Sequence, residues 1–363
     1  MGKRKKNEGN TPSCSTGFTV IYFRVDSNNA ISAGHVMRCL AIAEALRLRG
    51  APCAFLCADA ESNELIESNG FKCIVLDGNW RNLAVEVPQL LELLRNDPNP
   101  VLLIDTYSVD SDYVARLHKD AKVCYLGSKP LVAPELSLLV NYSTKIDVPF
   151  YERTYGATST KLCLGPSYAP LRKEFVARDV PASSEVKSVL ITTGNTDNEG
   201  FANTLLTKAL ASKSLSSVRF RVVVGPLFQR ADQLEMAYGS HARVDLLFNA
   251  TDMSPIMRNA DLAVSACGTT LYELAACGVP TVGFSLVPEQ TESGGSLSEL
   301  GVIEYAGAAY EDLDGCAGRI VSSLEQLAVD MEKRCSMSKE FHKLSDGRGC
   351  DKISDELMLL CEN

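Results

Sequence analysis

Positive charge is the first thing this chain is short of. Its 363 residues carry 36 Lys and Arg against 45 Asp and Glu, a formal net charge of −9. A dedicated nucleic-acid binder presents a basic face to the phosphates, so the acidic surplus argues against that class. Long apolar runs are missing too, since no stretch approaches the roughly 18 residues of a membrane span. The best-known nucleotide loops are absent. No Gly-x-Gly-x-x-Gly follows the first apolar segment, and no Gly-x-x-x-x-Gly-Lys-Ser/Thr occurs, which weakens NAD-binding and ATPase readings. The 13 cysteines form no Cys-x-x-Cys pair and no Cys/His cluster at zinc spacing. Histidine is scarce: His118, His241 and His342 read as surface residues, which leaves His35.

What is present is the mix of an ordinary globular protein, 45% hydrophobic and 22% charged, with enough apolar material for two cores. The length favours two domains. Cys39, Cys53, Cys57, Cys73, Cys124, Cys163 and Cys277 sit inside apolar runs, as buried free thiols do, and imply a reducing cytoplasm. Residues 1–17 begin Met1-Gly2-Lys3-Arg4-Lys5-Lys6 and stay polar; the charge resembles that of a signal peptide, but no apolar segment follows, so a disordered tail is expected.

From residue 18 apolar strands alternate with helical segments. Strands are expected at 18–23, 53–57, 71–76, 100–104 and 122–126, with helices at 35–49, 61–69, 86–95 and 110–118. This is the rhythm of βαβ units and a parallel sheet. Residues 130–184, with six prolines, break it. It restarts with strands at 186–192, 218–224, 243–248, 261–265 and 280–286 and helices at 199–210, 229–238, 253–258 and 269–277; helices fill the tail from about 310. The fold class is therefore α/β with two Rossmann-like domains, at 18–178 and 185–335, followed by C-terminal helices at 336–363. The join falls at 178–185, and a ligand cleft is expected between the carboxyl ends of the two sheets.

Three strand-to-helix junctions carry small residues: Asn29-Ala30-Ile31-Ser32-Ala33-Gly34-His35, Thr192-Thr193-Gly194-Asn195-Thr196-Asp197 and Ser265-Ala266-Cys267-Gly268-Thr269-Thr270. Each places unpaired N–H groups at a helix start, where an anion can approach. Such loops also need small residues merely to turn. His35, at a helix start beside Gly34, is the candidate general base; the positive end of the helix favours its neutral form.

The segments Phe23-Arg24-Val25-Asp26-Ser27 and Ile31-Ser32-Ala33-Gly34-His35-Val36-Met37-Arg38 resemble the opening of the nucleotide-sugar hydrolases of pseudaminic acid biosynthesis, which are grouped with spore-coat polysaccharide biosynthesis proteins. Asp105-Thr106-Tyr107, Leu164-Gly165-Pro166-Ser167-Tyr168 and Gly268-Thr269-Thr270-Leu271-Tyr272-Glu273 extend the resemblance over residues 19–305. Relatives of that family include the two-domain transferase that adds N-acetylglucosamine to a lipid-linked muramyl peptide.

The resemblance implies a glycosyltransferase-B-type architecture and a UDP-sugar substrate, with neither cofactor nor metal. It implies His35 as the base that activates water. Gly268, Thr269, Thr270, Gly194 and Asn195 would hold the diphosphate, Glu273 the ribose hydroxyls, and Tyr107 and Gln290 the sugar. Gly34 and Arg38 belong to the first loop, and Arg38 either reaches a phosphate or faces solvent. Arg24 and Asp26 are counted with the substrate-binding residues, and either orient that loop or pair with each other. Backbone groups of 248–253 would meet the uracil, and Tyr168 and Arg172 would brace the interdomain turn. Departures from the family pattern stand at Ser32, Asn195, Cys267 and Glu289. The alternatives are a glycosyltransferase with the same donor site, a non-catalytic nucleotide-sugar binder and, more distantly, a UDP-sugar 2-epimerase. A monomer is compatible with the sequence.

Overall fold

A computed structural model describes residues 19–28, 31, 33–176, 184–197 and 199–362. The expected tail at 1–17, Ser32 and most of the expected join at 178–185 lie outside the described residues.

The first domain runs β1 (Ile21–Val25), α1 (Gly34–Leu48), β2 (Cys53–Cys57), α2 (Asn63–Ser68), β3 (Lys72–Val75), α3 (Val87–Leu94), β4 (Val101–Asp105), α4 (Ser111–Leu117), β5 (Lys122–Leu126), β6 (Leu138–Asn141), α5 (Val148–Tyr155) and β7 (Lys161–Leu164). Its seven strands are all parallel, in the order β3-β2-β1-β4-β5-β6-β7. The second domain runs β8 (Ser188–Thr192), α6 (Phe201–Ala211), β9 (Arg219–Val224), α7 (Ala231–Tyr238), β10 (Val244–Phe248), α8 (Met253–Arg258), β11 (Leu262–Ala266), α9 (Thr270–Cys277), β12 (Thr281–Ser285), α10 (Glu289–Glu299), β13 (Ile303–Ala308) and α11 (Leu313–Val329). Its six parallel strands lie in the order β10-β9-β8-β11-β12-β13. Two last helices, α12 (Met331–Leu344) and α13 (Gly349–Glu362), end the chain.

Strands buried on both faces read as continuous apolar runs, which is why the main strands are legible. β1, Ile-Tyr-Phe-Arg-Val, is buried throughout even though it contains an arginine. The stretch at 130–184 that breaks the rhythm nonetheless holds β6, α5 and β7. The two strands are only four residues long, and Pro149 sits in the first turn of α5, where its missing N–H costs nothing. α10 and β13 also escape the pattern. α10 contains Ser-Gly-Gly-Ser, a poor helix sequence held by tertiary packing against β12 and β13.

Apolar layers cover both faces of each sheet. The C-terminal helices do not form a unit of their own: α12 packs on α9 of the second domain, and α13 packs on α1 of the first. The chain thus crosses between domains twice, and the two crossings touch. A Cβ on Gly347 would stand 2.3 Å from the Phe175 carbonyl, and one on Gly349 would stand 2.1 Å from that of Ala169. Gly347 also has φ +74°, a left-handed conformation that favours glycine. No helix among the described residues is long and apolar enough to cross a membrane.

Candidate active site

In each sheet the strand order reverses beside its first strand, between β1 and β4 and between β8 and β11. Loops leaving the carboxyl ends of such neighbours diverge and open a crevice. The two crevices share one cavity of about 620 Å³, lined by Ala33, Gly34 and Arg38 from the first domain and by the 192–196 and 268–270 loops from the second. A second cavity of about 420 Å³ lies in the first domain, lined by His35, Arg38, Asp105, Tyr107, Lys129 and Tyr142 among others. Arg38 and Tyr142 line both.

The chemistry gathers where β1 and β4 run side by side, with Val25 opposite Asp105. His35 is the second residue of α1 and is only 5% exposed. Its Nδ1 lies 2.7 Å from Asp105 Oδ1. Arg38 Nη2 also stands 2.9 Å from this Nδ1, but it already donates to Asp105 Oδ1. A carboxylate can only accept, so the shorter Asp105 contact puts the hydrogen on Nδ1 and leaves Nε2 as the basic nitrogen. Arg38, one turn on, donates from Nε to Asp105 Oδ2 at 2.5 Å and from Nη2 to Oδ1. Burial alone would raise the Asp105 carboxyl. The Arg38 charge and the hydrogen bonds from His35 and Arg38 outweigh it, so the group titrates below the ordinary aspartate range. The Tyr107 ring meets His35 edge-on, with centroids 4.5 Å apart, while remaining 67% exposed.

The second domain contributes a helix start. Gly268 and Thr269 lead into α9, and the Thr269 and Thr270 amides have no intramolecular acceptor among the described residues. Glu273 lies on the first turn and lines the cleft. Burial pushes its carboxyl up to about 7; Arg172 opposes the rise and Glu174 adds to it. Gly194, at φ +89°, and Asn195 line the cleft from the other loop, and Gln290 faces it from α10. Gln290 Oε1 accepts from the Leu286 amide at 2.8 Å, which anchors that side chain.

The structure therefore brings Gly34, Arg38, Gly194, Asn195, Gly268, Thr269, Thr270, Glu273 and Gln290 to one cavity, and His35 and Tyr107 to its neighbour. Arg24 and Asp26 go elsewhere, as a correction to the substrate-binding role expected of them. Of the two possibilities left open for them, they pair: Arg24 Nη1 donates to Asp26 at 2.6 Å, while Nε and Nη2 grip Glu86 at 2.6 and 2.9 Å. Both are buried and neither lines either of these two cavities. Arg172 donates to the Thr251 carbonyl at 3.2 Å across the domain join and also lines the cleft. Tyr168 packs against the first-domain core. His241 is exposed, whereas His118 and His342 are half-buried and line neither cavity.

Cys267 stands where the family pattern has a glycine, yet its thiol turns away from the cleft. Cβ atoms on Gly283 and Gly294 would each lie 2.9 Å from its Sγ, so those two glycines make its room. Burial pushes the thiol up to about 12, which makes it an inert core group. Two Asp-x-Asp sequences are helix caps: Asp110 accepts from the Tyr113 amide at 2.8 Å and Asp312 from Gly315 at 2.9 Å. Among the described residues no group of three or more His, Cys, Asp or Glu is placed to hold a metal ion.

Sequence reasoning assigned no role to Asp105, Tyr142 or Tyr272. For Asp105 a signal existed, because a carboxylate ending the strand beside β1 must face the loop after β1. For the tyrosines none did, since they meet only when the two domains meet.

Fold and cleft together define a two-domain protein of glycosyltransferase-B architecture, two parallel-sheet Rossmann-like units around a shared crevice. No protein-family model matches the chain. Among solved structures it superposes on MurG of Acinetobacter baumannii with a TM-score of 0.64 at 15% identity, covering 94% of this chain and 99% of that one. It is distantly homologous to the spore coat polysaccharide biosynthesis protein SpsG of Bacillus subtilis, 22% identical over 337 residues, 91% of this chain and 95% of the relative. It is also 25% identical over 269 residues, 71% of its length, to an uncharacterized protein of Methanocaldococcus jannaschii, of which it spans about half, 54%.

Proposed function

We propose that this protein hydrolyses a UDP-linked sugar at its anomeric carbon, with inversion, releasing UDP and a free 2,4-diacetamido-2,4,6-trideoxy sugar for synthesis of a nonulosonic acid of the pseudaminic type. The observation that carries this reading is the His35–Asp105 pair at 2.7 Å, lining a cavity that shares Arg38 and Tyr142 with the interdomain cleft.

Asp105 holds the His35 ring in the tautomer whose Nε2 is free. Nε2 takes a proton from a water, and the water oxygen bonds to the anomeric carbon as the bond to the UDP oxygen breaks. Attack from the side opposite UDP inverts the carbon. The departing diphosphate is already a stable anion, so it needs fixed donors rather than a strong acid. The Thr269 and Thr270 amides and hydroxyls, with the Gly194–Asn195 loop, fill that role. Arg38 is committed to Asp105 and Tyr142, so the diphosphate rests largely on neutral donors. The twelve free thiols among the described residues suit a reducing cytoplasm.

A glycosyltransferase is the second reading, favoured by the size of the first-domain cavity, about 420 Å³, which has room for an acceptor. The deciding experiment is UDP release in buffer that contains no acceptor, read by NMR across a panel of UDP-6-deoxy-amino sugars including UDP-2,4-diacetamido-2,4,6-trideoxy-β-L-altrose. Release from that sugar with initial formation of the inverted anomer supports hydrolysis. Binding with no turnover of any sugar overturns it in favour of a binding protein.

Glu273 adds a pH-dependent test. Its two oxygens accept the ribose hydroxyls best when ionised, and its folded pKa of about 7 leaves it mostly protonated at pH 6. UDP-N-acetylglucosamine has no phosphate group titrating in this range, so its affinity reports on the carboxyl. Calorimetry is expected to show binding about tenfold weaker at pH 6 than at pH 8, with proton release at the lower pH. Glu273→Gln should flatten that profile; a profile unchanged by the substitution removes Glu273 from the ribose site.

A further inference from the structure

We propose that Tyr142 is a positioning residue that ties the alignment of the His35–Asp105 pair to the contact between the two domains. The inference rests on the reading of His35 as the base.

Tyr142 directly follows the carboxyl end of β6, and it is the meeting point of two chains of contact. On one side its hydroxyl accepts from Arg38 Nη1 at 2.8 Å, and the Arg38 guanidinium carbon lies 5.7 Å from its ring centroid. Arg38 in turn spends Nε and Nη2 on Asp105, the carboxylate that orients His35. On the other side the Tyr142 ring meets Tyr272 of α9 edge-on, with centroids 5.6 Å apart and planes at 77°. Tyr272 lies one residue before Glu273 and on the same first turn as Thr270, so it reports where the donor-binding helix stands.

The geometry makes Arg38 the shared element. A planar guanidinium with three of its nitrogens engaged cannot turn without losing a partner. Tyr142 supplies the one partner outside the catalytic pair, and its ring is seated between the first-domain apolar layer and Tyr272 of the second domain. If the cleft opens and Tyr272 withdraws, Tyr142 loses the second-domain wall of its seat, Arg38 loses a fixed acceptor, and the carboxylate that sets the His35 tautomer gains freedom. The base is then aligned only when the two halves of the cleft are together, which keeps it from acting on a sugar that is not held at the donor loops.

The test uses Tyr142→Phe, which removes the acceptor and keeps the ring against Tyr272, and Tyr272→Leu, which removes the ring contact and leaves Arg38 untouched. Each is expected to lower kcat roughly tenfold to a hundredfold, as misalignment of a reacting group does, with UDP affinity within about twofold of the parent. Because both act through Arg38, the double variant should be little worse than the poorer single one, a non-additivity expected of coupled residues. A second readout needs no turnover: NMR of the Arg38 guanidinium should show slow rotation in the parent and faster rotation in both variants. If the parent turns over no sugar yet both variants free Arg38, the positioning role stands and the hydrolase reading fails. If the parent releases UDP and Tyr142→Phe changes neither kcat nor the Arg38 signals, or if the two substitutions simply add, the positioning role is overturned.

Discussion

Replacing His35 by alanine is expected to lower UDP release by about 10²- to 10⁴-fold, the contribution of a positioned general base, while the protein stays folded and binds UDP as before. Three features of the structure support this outcome. His35 lines the smaller cavity with its Nε2 uncommitted among the described residues, so removing it takes away a proton acceptor together with the bond to Asp105 and the edge contact with Tyr107. Asp105 is not left stranded, because Arg38 still donates to both of its oxygens. The loops proposed to hold the nucleotide, at 192–196 and 268–270, belong to the other domain. Asp105→Asn gives a companion result. An amide can present its NH₂ to Nδ1, which favours the opposite tautomer with the hydrogen on Nε2, so activity should fall although the geometry is nearly kept. Steady-state kinetics of UDP release, with calorimetry of UDP binding, checks both. Turnover by His35→Ala equal to that of the parent would falsify the assignment of the base.

Arg24→Met is expected to cost about 3–5 kcal/mol of stability, the penalty of breaking a buried ion pair by removing one partner. Arg24 is fully buried and joins Asp26 and Glu86, which are 2% and 1% exposed. Tyr113 donates to Glu86 at 2.7 Å, and the Ala58 amide donates to Asp26 at 2.7 Å. The cluster thus ties β1, β2 and α4 together beneath the crevice. Without the guanidinium, two carboxylates remain in a space closed to water. They must either stay charged without a counterion or take up protons. Replacing Arg24 and Glu86 together by Met and Leu removes charge of both signs and should recover part of the loss. Chemical denaturation of the three variants checks this; a single variant within about 1 kcal/mol of the parent would mean that the cluster contributes little.

Much of the architecture was legible because a parallel sheet buried on both faces leaves its strands as mainly apolar runs, as in Val-Leu-Leu-Ile of β4 and Leu-Ala-Val of β11. The two-domain reading followed from repetition of that rhythm. Short elements at the far edge of the first sheet were not legible: β6 and β7 are four residues each, between prolines, and their pairing comes from neighbours rather than from their own pattern. The candidate site divides the same way. Loops that must turn sharply at strand ends, such as those at Gly194 and Gly268, mark themselves by residue type. Arg24 did not, because an arginine in a sequence reads as a surface or ligand group until its partners are known, and Glu86 lies 62 residues away. Tyr142 and Tyr272 belong to separate domains, and neither carries any local sign of the other.

The packing of α13 on the first domain has a consequence for how the protein is made. Cys350, Ile353 and Leu357 of that helix belong to the same apolar layer as Phe23, Phe55 and Val101 of the first sheet. Synthesis proceeds from the N-terminus, and the sheet, α1 and the whole second domain emerge before these residues do. The second domain can close its own layers while the first still waits with one face uncovered. The half that carries His35 is thus the first to be translated and the last to be finished, so a ribosome that stalls near residue 345 leaves exposed the apolar face that a completed chain covers.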